Sequence, residues 1–155
     1  MSTAGIPVQQ ANNWLAPEQH LVALVKAAVA GLVPAVHVLT RKDLAGVKEA
    51  AQLVPALHIV YAGTRVADHQ YKTTRYAHKW LLVAAVRNVA DTVGNQAARA
   101  DAGALLELGV NALTSADVPG CATTLTPVTP PPPSPGAGYY YLPAAFEVET
   151  VFHKR

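Results

Sequence analysis

One cysteine, Cys121, is all that the 155 residues contain, which excludes an intramolecular disulfide framework and leaves too few thiolates for a cysteine-based zinc site. A reducing, cytosolic place of folding fits that. Charge is scarce too: 14% of the residues are Asp, Glu, Lys or Arg, against about 25% in an average soluble domain. With a hydrophobic fraction of 51%, the folded surface must carry much Ala, Val and Leu, and extended apolar surface marks contact with partners. A subunit of something larger is therefore expected. The net charge is only +2, so the total does not indicate a general nucleic-acid binder driven by counterion release, and any such role must be local. Residues Met1 to Asn13 have neither the basic start nor the apolar stretch of a signal peptide. No apolar run reaches the roughly 18 residues of a membrane span, so neither export nor membrane insertion is expected.

Catalytic signatures are missing as well. There is no G-x-S-x-G elbow, no phosphate-binding glycine loop and no HExxH or CxxC spacing. Ser2, Ser115 and Ser134 fall in the N-terminal stretch or in loops without an obvious base, and Cys121 follows Pro119-Gly120 with no histidine placed to activate it. Six histidines are present (His20, His37, His58, His69, His78, His153). His37 and His58 lie on neighbouring predicted strands, but the spacings favour hydrogen-bonded structural histidines over metal ligands. No enzyme activity, cofactor or metal is expected.

What is present is a pair of apolar runs, Val54–Tyr61 and Trp80–Val86, separated by a basic, aromatic-bearing stretch from Thr64 to Lys79. The pattern predicts two strands joined by a long loop. Upstream, residues 1–13 lack periodicity and read as an arm that orders only against a partner. A helix begins near Pro17, a residue suited to the first helical position. Leu21, Leu24, Val25, Ala28 and Leu32 follow at helical spacing, with Gly31 near the stop. Ala35–Leu39 reads as a first strand, and a short helical turn is predicted between Asp43 and Gln52, with Asp43 as its cap and Val47 on its apolar side. Strands two and three are placed at Ala56–Tyr61 and Ala77–Arg87. Their near-continuous apolarity predicts burial on both faces or against a neighbouring subunit.

A second long helix is expected from Asn95 to Leu113, with Ala98, Ala102, Leu105, Leu106, Gly109 and Leu113 on one face. Thr126–Gly138 (TPVTPPPPSPGAG) holds half of the 12 prolines and reads as a stiff, extended loop able to form neither helix nor ladder. Ala145–Phe152 alternates, with Phe146, Val148, Thr150 and Phe152 on one side and Glu147 and Glu149 on the wet side, predicting a final strand. The fold class is α+β: residues 14–155 form one domain, a mixed or antiparallel sheet of about four strands packed by two main helices, in the order α-β-(short α)-β-β-α-loop-β.

That order, with DLAGVKEAAQLVPALHIVYAGTRV over 43–66 and KWLLVAAVRNVAD over 79–91, resembles the tail terminator proteins of tailed bacteriophages, notably those of Mu-like phages. The resemblance implies a non-enzymatic virion component at the head-proximal end of the tail, assembled in the host cytoplasm. It implies a homo-oligomeric ring of six subunits that caps the tail tube, stops its polymerisation and joins the tail to neck or head-completion proteins. In a contractile tail the ring would also meet the last layer of sheath. The Pro-rich segment Pro127–Pro135 departs from the family pattern.

Two surfaces stand out as candidate sites. Arg65, His69, Tyr71, Lys72, Arg75 and Lys79, in the stretch between strands two and three, offer cations and aromatic rings to a tail tube, to the lumen of a ring or to DNA in transit. Tyr139, Tyr140 and Tyr141 are of the type enriched at interfaces and are expected between subunits. The remaining alternatives are another head-tail connector or neck protein, and a small DNA-binding protein acting through the 65–79 stretch.

Overall fold

The computed structural model describes residues 14–87, 96–136 and 138–155. The expected N-terminal arm, residues 1–13, lies outside them. One six-stranded sheet carries the chain, in the order β1-β2-β3-β6-β4 with β5 beside β6. The strands are β1 (His37–Thr40), β2 (Ala56–Gln70), β3 (Thr73–Arg87), β4 (Thr126–Val128), β5 (Ser134–Gly136) and β6 (Tyr139–His153). β1 runs parallel to β2 and every other pairing is antiparallel. The predicted α+β class and element order are thus borne out, with two short edge strands added.

Period-two alternation gives the sheet two chemically distinct faces. Leu57, Ile59, Trp80, Leu82, Ala84, Val86, Phe146 and Val148 share one face and form the core with two helices, α1 (Pro17–Val29) and α3 (Gln96–Leu113). Pro17 opens α1, as expected. Its buried residues are Pro17, Leu21, Val22, Val25 and Val29; Leu24 and Ala28 of the predicted stripe are half-buried at its margin, and the helix stops at Val29, so Leu32 never joins it. On α3 the buried positions are Ala102, Leu105, Gly109 and Leu113, with Leu106 half-buried; Asn95 and the side chain of Ala98 lie outside the description.

Between β1 and β2 the chain makes a single helical turn, α2 (Arg41–Leu44), and a 3-10 turn at Glu49–Ala51. Asp43 is the third helical residue of α2 and not its cap. Thr40 caps α2, and its backbone N–H and hydroxyl both donate to Asp43 Oδ2, at 2.8 and 3.1 Å, the reciprocal half of a capping box. Val47 is exposed. The turns lie on the sheet face opposite the long helices, where Gln52 and Glu49 reach Tyr141. Elsewhere on that face Val60, Leu81, Val83 and Pro143 are only half-buried, so strands two and three are not buried on both sides within one chain.

Two expectations need correction. The stretch from Thr64 to Lys79 is no loop: β2 and β3 continue through it and pair up to Gln70–Thr73, leaving a two-residue turn at Tyr71-Lys72. Its residues hid the strands because β2 from Thr64 onward is exposed and the buried positions on this part of β3 are Thr74, Ala77 and His78, so apolar alternation fades while backbone pairing persists. The Pro-rich segment also enters the sheet, as β4 and β5. Both are three-residue strands beside β6, and proline is tolerated at a sheet edge, where its missing N–H is not required. Pairing with β3 and β5 also extends the last strand back to Tyr139. Among the described residues, no helix is long and apolar enough to cross a membrane.

Candidate functional site

At about 3.3 Å per residue, the 15-residue strands β2, β3 and β6 are each roughly 50 Å long, far longer than either helix can cover. Their distal ends project as a three-stranded arm. β2 enters the arm through an irregularity between Tyr61 and Thr64, where Gly63 sits at φ 104, and a second lies between Val66 and Asp68. Such bulges bend a strand and spoil its outer edge as a template for uncontrolled pairing. On the helix side, Trp14 stacks against Tyr76 and His78, with ring centroids 4.8 and 5.2 Å away, and so anchors the entry to α1 on the base of the arm.

All six basic and aromatic candidates lie on this arm, and β6 supplies partners that the 65–79 stretch alone did not reveal. Arg65 forks onto Glu147, Nε to Oε2 at 3.1 Å and Nη2 to Oε1 at 2.9 Å. Arg75 Nε donates to Glu149 at 2.9 Å. Lys79 stands directly across from Glu147. Hydrogen bonds from Arg65, then the charges of Arg65 and Lys79, hold the Glu147 carboxyl below its usual value against the opposing effect of partial burial. His69 Nδ1 meets Thr74 Oγ1 at 2.7 Å, His153 Nδ1 meets Thr73 Oγ1 at 3.0 Å, and Lys154 N–H donates to the Lys72 carbonyl at 2.7 Å. The two ion pairs are solvent-facing and individually weak, but together these contacts fix the arm's shape and neutralise its shaft. The alternation that placed Glu147 and Glu149 on the wet side of the last strand was the available signal for them.

At the apex, Tyr71 is 86% exposed and has φ 54, a left-handed conformation costing a bulky residue roughly 1–2 kcal/mol. The Lys72 ammonium sits 5.3 Å from the centre of its ring.

The tyrosine triplet lies at the opposite end of β6. Tyr139 and Tyr140 are buried by their own chain, with the Arg87 guanidinium 5.4 Å from the Tyr139 ring centre. Tyr141 is half-buried on the open sheet face; its hydroxyl accepts from Gln52 Nε2 at 2.6 Å and donates to Glu49 at 3.1 Å. Near that end an apolar cleft of about 490 Å³ opens between Val33, Val36, Val54, Val86 and Leu105, with Arg87 and Asp101 its charged members.

Four histidines are hydrogen-bonded as expected: His20 to the Asp117 carbonyl, His69 and His153 as above, and His78. Fully buried His78 uses both ring nitrogens, Nδ1 with the Tyr61 hydroxyl at 2.9 Å and Nε2 with Thr150 at 2.8 Å. His58, 7% exposed, departs from the expectation, because its Nε2 has no partner among the described residues. Burial holds both imidazoles below the ordinary histidine value of 6.5. The folded state therefore keeps them neutral where the unfolded chain takes up protons. That costs nothing well above pH 6.5 and grows as pH falls below it, by at most about 1.4 kcal/mol per pH unit for each proton. Urea midpoints should fall between pH 7.5 and 5; a flat profile would contradict the burial of these rings.

Burial also pushes the Cys121 thiol up, away from the thiolate form a nucleophile needs. Among the described residues, no three His, Cys, Asp or Glu side chains are grouped to hold a metal ion. Fold and site together describe an α+β domain with a rigid, projecting polar arm and an open apolar sheet face, the attributes of a structural assembly protein. The chain belongs to the phage tail terminator protein family, whose model matches residues 11–155, and it is a structural component of the phage tail. No curated protein is matched by the chain.

Proposed function

We propose that this chain is the tail terminator subunit itself: six copies form a ring that caps the head-proximal end of the tail tube, stops tube polymerisation and joins the tail to the neck or head. Family membership over residues 11–155 carries the reading. The sparse charge and the half-buried Val60, Leu81, Val83 and Pro143 support it, because they provide apolar area for contacts between copies. In this arrangement Tyr141, which keeps part of its ring exposed, lies at or near a subunit boundary, while the arm bearing Arg65, His69, Tyr71, Lys72, Arg75 and Lys79 faces the tube or lumen. The ring works by shape, without catalysis or cofactor, and DNA passes through it with transient contacts only. A contractile tail would add contacts with sheath.

Pairing of Arg65 and Arg75 with Glu147 and Glu149 removes cations that free DNA binding would use, which disfavours the nucleic-acid alternative. Deleting the gene from its phage tests the reading by negative-stain electron microscopy. Overlong, variable, headless tails are expected. Normal-length tails detached from filled heads would move the protein to the neck, and intact virions would overturn a structural role.

A further inference from the structure

The arm spends its polar groups on itself along the shaft and leaves a different chemistry at its end. Tyr71 buries almost nothing in its own chain, being 86% exposed, yet it occupies a left-handed turn position that glycine or asparagine would take without strain. A bulky ring held there contributes little to the fold and disfavours the turn. Phe152, one strand pair below the turn-flanking pair Thr73–His153, is 39% exposed. Lys72, Lys154 and Arg155 are exposed around these rings, with Lys154 fixed beside the turn by its hydrogen bond to the Lys72 carbonyl. Glu147 and Glu149 are engaged by the shaft arginines, and Asp68, across from Arg75, is the one exposed carboxylate side chain among residues 66–73, so cations outnumber it at the tip.

We infer that the arm tip is a plug: Tyr71 inserts into an apolar pocket with an acidic rim on a protein of the tail tube, and Lys72 and Lys154 meet the rim. The inference rests on the terminator reading for the partner's identity and derives that partner's chemistry from the tip. A rigid arm suits this role, because little conformational freedom remains to be lost on docking. An exposed tyrosine flanked by cations is also the type of side chain that dominates protein interfaces. A protein pocket fits better than duplex DNA, because the shaft arginines that would grip phosphates are already paired with Glu147 and Glu149.

The test uses the full-length protein and tubes polymerised from the same phage's tail tube protein, with capping followed by co-sedimentation and by tube length in negative stain. Tyr71→Gly and Tyr71→Asn both remove the ring and relax the turn. They should melt no lower than the parent and keep its oligomer size, yet cap tubes at least about tenfold more weakly, while Tyr71→Phe stays close to the parent. Lys72→Glu with Lys154→Glu should weaken capping and invert its dependence on salt. Full capping by Tyr71→Gly would overturn the plug and leave the terminator reading standing. Failure of the unmodified protein to cap tubes would overturn that reading and the plug with it. Loss of duplex DNA binding in Tyr71→Gly with capping intact would assign the tip to nucleic acid instead.

Discussion

Trp80→Ala is expected to lower the unfolding free energy by about 3–5 kcal/mol, the range for truncating a buried aromatic. Trp80 is 1% exposed at the centre of the sheet, facing Tyr61 on β2 and Phe146 on β6, with the Tyr61 ring edge-on at 5.0 Å. Removing it opens a cavity where three strands and both long helices share one core. Domains of this size have only about 5–15 kcal/mol in hand, so the variant loses a large share of its stability. Trp80→Phe separates volume from polarity: the indole N–H has no hydrogen-bond partner among the described residues, and losing an unsatisfied donor offsets part of the lost packing. Its cost should be less than half that of Trp80→Ala by urea unfolding. A loss under about 1 kcal/mol for Trp80→Ala would mean that the core is not organised around this ring.

Gly109→Val should cost about 1–3 kcal/mol or somewhat more, by overpacking. A Cβ at this position on α3 would stand 2.6 Å from Leu82 Cδ2 and 3.4 Å from Leu57 Cδ1. Leu82 is 1% exposed, so its side chain must shift within a close-packed core or α3 must lift from β3. Gly109→Ala makes the same contact but gains up to about 1 kcal/mol of helix propensity, and should come out much milder. Combining Gly109→Val with Leu82→Ala should cost less than the sum of the two single changes, because the second creates the room the first needs. Additive losses in thermal unfolding would show that α3 does not approach β3 this closely.

The parts of the fold legible in the sequence are those where one residue pattern had one physical explanation. Pro17 followed by apolar residues at helical spacing could only be an amphipathic helix, and Phe146, Val148 and Thr150 alternating with two glutamates could only be a half-wet strand. The arm was misread because the distal half of β2 has no buried face, and the buried positions on the distal half of β3, Thr74, Ala77 and His78, are polar or small where a strand usually shows large apolar residues. What holds them is their pairing with each other and that of β3 with β6, some 70 residues later in the chain, together with the Arg65–Glu147 and Arg75–Glu149 pairs. The Pro-rich strands were missed for a related reason: proline excludes a central strand but not an edge, and only the position of β6 made an edge available.

By itself, the sequence determined the α+β class, the two long helices, the lack of a catalytic constellation and the likeness to tail terminators, because composition, periodicity and local motifs act over a few residues and need no partner. It also placed Arg65, His69, Tyr71, Lys72, Arg75 and Lys79 in one stretch. Tertiary structure alone decided which of these charges remain free for another molecule. Pairing with a strand distant in sequence neutralised Arg65 and Arg75, while the hairpin turn carried Tyr71 and Lys72 to the apex beside Lys154. Whether a cation is spent or available depends on its neighbours in space, and those are set by strand register.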